Sequence, residues 1–365
     1  MAIRAVLPAL VLLLASCGTS AASTSPTIAP TQADPPSPTG GSVTPAASPE
    51  ADPTPSATPE PLAWAELASD GPAAREDHTW TVDEEGRIAY LFGGRDGATV
   101  FGDLWAYDLN ADAWTELNPG AGPAPRFGHE AVWVAGTGLV LFAGQAGPTF
   151  FNDLWAFDPG DGGWEQLPAG GATPVPRYGS CAAIGPDGRL WISHGFTADG
   201  TRFSDTRAYD FASGSWTDET PTEGRRPVER CLHGCWWTDG GELALYGGQT
   251  TGATAIGDRW RLAKAAWMRV EGEVPPDRNL YARTRLAGAT LVFGGQGVDG
   301  GFLDDLWVLA DDADDATRLD APAGPAPRAG AELVRDGDRV LLFGGRNADG
   351  ALDDLWVLDG LQDSE

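Results

Sequence analysis

Residues 101–108 read FGDLWAYD and residues 151–158 read FNDLWAFD, so six of eight letters recur 50 positions apart. The phrase returns as Asp305-Leu306-Trp307-Val308-Leu309 and Asp354-Leu355-Trp356-Val357-Leu358. Eroded copies stand at Asp205–Asp210 and Asp258–Leu262. A fixed period of this size marks a chain assembled from copies of one supersecondary unit. What one copy folds into therefore decides the fold.

The cleanest copy runs from Pro125 to Leu167. After Pro-Arg-Phe-Gly-His, the apolar run Glu130–Val134 reads as a strand, and Gly136-Thr-Gly138 turns the chain. Leu139–Phe142 is a second strand, closed by Ala143-Gly144; Asp153–Asp158 is a third. Pro159–Gly163 turns again, and Trp164–Leu167 is the fourth. Short β-rich runs cut by Gly, Pro and Asp clusters spell successive hairpins. Four strands in about 50 residues make one blade of a propeller.

The other copies keep the same marks. The leading arginines are Arg75, Arg126, Arg177, Arg230, Arg278 and Arg328. The second strand ends at Gly93-Gly94, Ala143-Gly144, His194-Gly195, Gly247-Gly248, Gly294-Gly295 and Gly344-Gly345. The last strand carries Trp114, Trp164, Trp216 and Trp267, with Arg318 in the fifth copy. Arginine, diglycine after an aromatic, and a later tryptophan resemble the kelch repeat, in six phased copies over roughly 300 residues. The resemblance implies an all-β, six-bladed propeller of the galactose oxidase-like central domain type. The sixth copy stops at Asp359 without a fourth strand, while Leu62–Leu67 precedes the first copy and resembles Trp114–Leu117. That orphan strand is expected to complete the last blade and leave no open edge. The propeller would then occupy 62–360, with 361–365 as a tail.

Ahead of it, Arg4, the apolar run Ala5–Ala15 and Leu14-Ala15-Ser16-Cys17 form a secretory signal over 1–16. Leu-Ala-Ser-Cys resembles the bacterial lipobox, which implies cleavage before Cys17, acylation of that cysteine and anchoring to a lipid bilayer. Residues 17–61 are Ala, Ser, Thr, Pro and Gly with few apolar side chains, and are expected to be a disordered tether. The expected location is the cell envelope, outside the cytoplasm.

The formal charge of −28 argues against nucleic acid as a partner. Lys264 is the only lysine. Beyond Cys17, an oxidising compartment suggests one disulfide and one free thiol, pairing Cys181 with Cys231 or Cys235.

Each leading arginine has an acid about 27 residues later: Asp103, Asp153, Asp205, Asp258, Asp305 and Asp354. The loop entering a blade and the loop between its second and third strands share one face, so each pair is expected to clamp its blade through charge-assisted hydrogen bonds. A ring of six cations holding an anion is the alternative. His78, His129 and His233 sit at one frame position and read as structural. The aromatics Phe101, Phe151 and Phe203 read as core, and the acidic run Asp311–Asp315 as a solvated turn.

Copies three and four depart most from the pattern. They hold Cys181, Cys231, Cys235 and His194, and Arg207 replaces tryptophan. Residues 202–285 carry twelve basic and twelve acidic side chains, near neutral in an acidic chain. A ligand site is therefore expected near Arg202, Arg207, Arg226, Arg230, Arg259 and His194, where the pattern breaks. No phosphate loop, nucleophile elbow or metal-ligand spacing occurs, and no cofactor or metal is called for. The leading reading is a membrane-anchored binding module for an envelope protein or a glycan, using loops of one face. The other is a carbohydrate-active enzyme, since bacterial six-bladed kelch proteins include a sialic acid mutarotase.

Overall fold

The computed structural model describes residues 61–361. The signal segment, Cys17, almost all of the 17–61 stretch and residues 362–365 lie outside the described residues. The described chain contains only strands and connections, arranged as six four-stranded antiparallel sheets around one axis, two of them extended by a further two-residue strand. From the axis outward, the first blade runs Thr79–Asp83, Ile88–Phe92, Leu104–Asp108 and Ala113–Leu117. The second runs Glu130–Val134, Gly138–Phe142, Leu154–Asp158 and Gly163–Gln166. The innermost strands of the remaining blades are Cys181–Ile184, Gly234–Trp237, Ala282–Leu286 and Glu332–Asp336.

The second strand of each blade is sandwiched between neighbouring blades, so it is written as a continuous apolar run rather than an alternating one. IAYLF, GLVLF and RVLLF are each almost wholly buried. Tryptophans of the outermost strands then wedge between blades. Trp114 packs against Trp80 and Phe343, whose ring centres lie 5.4 and 5.2 Å away, and Trp164 packs against Phe92 at 5.4 Å. The chain before the next blade must pass close to these indoles. A Cβ at Gly122 would come within 2.4 Å of Trp164, so glycine is required there.

The sixth blade is built from both ends of the described chain. Ala63–Leu67 pairs antiparallel with Leu355–Asp359, setting Trp64 opposite Leu358. Trp64 is buried and lies 5.4 Å from Phe293 of blade five. The closure covers the edge that Leu355–Asp359 would otherwise expose and gives the sixth blade its fourth strand. Blade three carries an unforeseen fifth strand: Gly170–Gly171 runs parallel to Ser215–Trp216 on the outer edge.

Between blades three and four, Cys181 and Cys235 form a disulfide with their Cα atoms 5.6 Å apart, linking two innermost strands. Cys231 is the free, buried thiol, and burial raises its pKa.

Candidate functional site

The six arginine–aspartate pairs show what the clamp face can and cannot bind. In each blade Nη1 and Nη2 reach the two oxygens of one carboxylate, as in Arg126–Asp153 at 2.7 and 3.0 Å. Arg75–Asp103, Arg177–Asp205, Arg230–Asp258, Arg278–Asp305 and Arg328–Asp354 repeat it. Nη1 also donates to the carbonyl closing the second strand, Ala143 in blade two and Gly247 in blade four, while Nε donates two residues back along its own chain. All six arginines are at most 1% exposed. Burial works to raise the partner carboxyls, but guanidinium hydrogen bonds and charge outweigh it and hold them below the ordinary aspartate value. Buried, and with four of its five donors spent on the carboxylate and backbone carbonyls, such a guanidinium is out of reach of an anion in solution. The ring-of-cations alternative is thus excluded by geometry.

Phe101, Phe151 and Phe203 do not enter the apolar core as their frame position suggested. They are half-buried lids, stacked 4.2, 4.1 and 4.4 Å from the guanidinium carbons of Arg75, Arg126 and Arg177. The acidic run is likewise tied down rather than simply solvated. Asp311 takes two bonds from Arg285 at 2.8 and 2.7 Å, and Asp315 accepts the Glu273 amide at 2.7 Å.

The residues expected to form a ligand mouth do not converge. Arg230 is a clamp. Arg259 is fully buried and donates to the Ala310 and Ala313 carbonyls at 2.6 and 3.2 Å, across the seam to blade five. Arg207 sits on a third strand, bonded to Asp205 at 3.1 Å. His194 is fully buried, with Nδ1 on Ser193 Oγ at 2.6 Å. Burial foremost, then Arg230, lowers its pKa to about 3, so it is neutral at ordinary pH. Arg202 lies on the clamp face, bonded to Gln249 at 3.3 Å, and Arg226 is exposed against the Pro221 carbonyl. Among the described residues no group of three or more His, Cys, Asp or Glu side chains is placed to hold a metal.

Sequence reasoning passed over the axis itself. At the clamp face, six residues two places after the repeat arginines join backbones in a closed cycle. Asp77 N reaches Gly330 O at 2.9 Å, Gly128 N reaches Asp77 O at 2.8 Å, and Gly179 N reaches Gly128 O at 3.1 Å. Leu232 N, Leu280 N and Gly330 N continue to Gly179 O, Leu232 O and Leu280 O at 2.8, 3.2 and 2.8 Å. All six have left-handed φ, between 51° and 67°. Three are glycine, and neighbouring side chains fill the space beside them: a Cβ at Gly128 would meet Tyr178 at 1.9 Å, and one at Gly179 would meet Leu232 at 2.7 Å. The Tyr178 hydroxyl donates to Asp77 at 3.1 Å across this stopper.

Beyond the stopper lies an axial cavity of about 540 Å³, lined by the innermost strands of all six blades. It runs from Glu130, Arg283 and Glu332 beside the stopper to Glu84, Arg285 and Arg335 near the turns of the opposite face. Trp80, Trp133, Trp236 and Trp237 contribute to its walls. Burial raises Glu130 to about 8, with Arg283 opposing and Glu332 adding to the rise. Burial raises Glu332 to about 7, again against Arg283 and with Asp77 adding. Glu130 and Glu332 share one frame position, four after Arg126 and Arg328. A charge opening a strand destined for the interior was the available signal.

Comparison with known proteins agrees with this architecture. The KLHDC2/KLHL20/DRC7 Kelch-repeats domain model matches residues 40–248, over half of the 365 residues. The tRNA wybutosine-synthesizing protein 4 of Emericella nidulans is 31% identical over 194 residues, 48% of this chain and 18% of that protein. The F-box/kelch-repeat protein At1g51550 of Arabidopsis thaliana is 28% identical over 215 residues, 51% of this chain and 44% of that protein. The host cell factor homolog hcf-1 of Caenorhabditis elegans is 35% identical over 85 residues, 21% of this chain and 11% of that protein. The matched regions thus cover less than half the length of these relatives, all of them eukaryotic. With the arginine clamps, the diglycine turns and the six closed blades in place, the chain belongs to the family of Kelch-repeat propellers.

Proposed function

We propose that this protein is a binding module held outside the cytoplasm, its propeller engaging a protein partner through the clamp face. Kelch propellers generally act as protein-interaction modules, and this one has the closed ring that lends such modules rigidity, in the manner of the galactose oxidase-like central domains it resembles. The observation that carries the reading is the distribution of exposed apolar side chains. Of four exposed large apolar side chains among the described residues, Val175, Val228 and Val298 stand on loops of that face, 50%, 52% and 62% exposed, and Met268 lies on the outermost strand Ala266–Val270. Arg225 and Arg226 are exposed beside Val228, in a chain whose overall charge is strongly negative. A partner segment with apolar side chains flanked by carboxylates would match this edge.

The envelope location rests on the lipobox-like Leu14–Cys17, the Pro/Ser/Thr/Ala-rich stretch after it and the Cys181–Cys235 disulfide, which suits an oxidising compartment. A carbohydrate-active mouth built from Arg202, Arg207, Arg226, Arg230 and Arg259 has less support, since those side chains are dispersed and largely committed.

The test is stoichiometric cross-linking in envelope fractions with the wild type, Val228→Asp and Arg225→Glu/Arg226→Glu, alongside fractionation of Cys17→Ala. A partner lost in both clamp-face variants, with unchanged melting temperature, supports the reading, as does release of Cys17→Ala into the soluble fraction. A partner retained by both variants overturns the docking face. Glycan-array binding without a protein partner would replace the protein by a sugar.

A further inference from the structure

The axial cavity lies on the other side of the stopper from the docking face and is independent of it. Its chemistry is uneven. Around the axis most lining is apolar or aromatic, but beside the stopper Arg283 stands with Glu130 and Glu332. Arg283 crosses Gly234 of the next blade so closely that a Cβ there would meet its Cδ at 2.7 Å, so the arginine stem is held against backbone. Yet its guanidinium has no hydrogen bond or ion pair among the described residues, unlike the clamp arginines. A half-buried guanidinium that feels Glu130 and Glu332 only through space keeps unfilled donors, and a fork of donors lining a cavity matches a carboxylate best.

We propose that the axial cavity binds a small organic monocarboxylate, its carboxylate paired with Arg283 and its body against the half-buried residues Trp133 and Trp237. The 540 Å³ volume falls within the range of pockets that enclose small ligands. One guanidinium matches one negative charge, so a dianion such as sulfate would bring a second charge that Arg283 cannot neutralise. Carboxyls that keep their protons donate hydrogen bonds, so Glu130 and Glu332 serve as donors to the oxygens of the ligand rather than as repelling charges. Asp77, the other acid near Glu332, is occupied by Arg95 at 3.0 Å and by Tyr178.

Tryptophan fluorescence of the full-length protein, titrated at pH 6 with benzoate, glucuronate and neutral benzamide, tests this. Saturable quenching is expected with at least one acid and none with benzamide. Whichever acid binds tighter tells whether the natural body is aromatic or hydroxylated. Arg283→Met should weaken binding at least tenfold, Arg283→Lys less, and Glu130→Gln hardly at all, because the amide still donates. Sulfate, a dianion at pH 6, should not compete. Equal binding of benzamide and benzoate, or of wild type and an Arg283→Met variant with unchanged melting temperature, overturns the proposal. So does an absence of quenching by both acids in the wild type.

Discussion

Arg207 Nε lies 3.1 Å from Asp205 Oδ2, taking the role that an indole Nε1 plays towards the same carboxylate oxygen in the other five blades. In those blades the indole donor is 2.6 to 2.8 Å away. Arg207 is therefore a substitute within the clamp and not a displaced ligand residue. Arg207→Ala should cost about 1 kcal/mol and Arg207→Trp should be neutral or stabilising, read from urea midpoints. A large loss of partner binding without a stability change would contradict this.

Within a clamp, removing one partner strands the other. Arg126→Ala leaves Asp153 and the Ala143 carbonyl without their cation, and should destabilise by roughly 3–5 kcal/mol. Arg126→Lys should rescue little, because a point charge cannot bridge both carboxylate oxygens and the carbonyl. Melting temperatures of the two variants provide the check.

Closure by Ala63–Leu67 predicts that truncation before Ser69 exposes the Leu355–Asp359 edge. The truncated protein should self-associate in sedimentation experiments. Trp64→Ala, which keeps the edge paired but empties the seam beside Phe293, should lose about 3–5 kcal/mol and remain monomeric.

Joining two innermost strands, the Cys181–Cys235 bond should contribute roughly 2–4 kcal/mol, seen as a lower urea midpoint in Cys235→Ser or after reduction. Cys231 should resist thiol reagents in the native protein and react only as the chain unfolds, since it is buried and burial raises its pKa.

Glu130 titrates at about 8 when folded against an ordinary 4.5. A folded pKa above the unfolded one means that the folded state binds the extra proton, so stability from this group is full below pH 4.5 and is lost as pH rises towards 8. Glu130→Gln should match the wild type near pH 4.5 and exceed it above pH 8, by on the order of 1–3 kcal/mol after allowing for water in the cavity. Melting curves at both pH values decide it.

The fold was legible because six copies vote on one pattern: a sandwiched second strand must be apolar throughout, and a clamp needs its arginine and aspartate in phase. Strand bounds moved by a residue, as when Gly138 joined Leu139–Phe142. The Gly170–Gly171 strand escaped notice because it pairs through bare backbone. The axial cavity was illegible for a deeper reason. Glu130, Arg283 and Glu332 come from three separate copies, and in sequence each looks like a charge on a half-exposed strand. Only ring closure brings them together. Where the pattern broke, at Arg207 and Arg259, the structure shows repair within the frame rather than a binding mouth.

Six peptide groups linked head to tail turn what could have been a bore into a cup. Any solute inside must leave by the opening through which it came, so arrival and escape share one barrier. A macromolecule resting on the clamp face leaves that opening free, while one seated over the hairpin turns of the opposite face would imprison the contents.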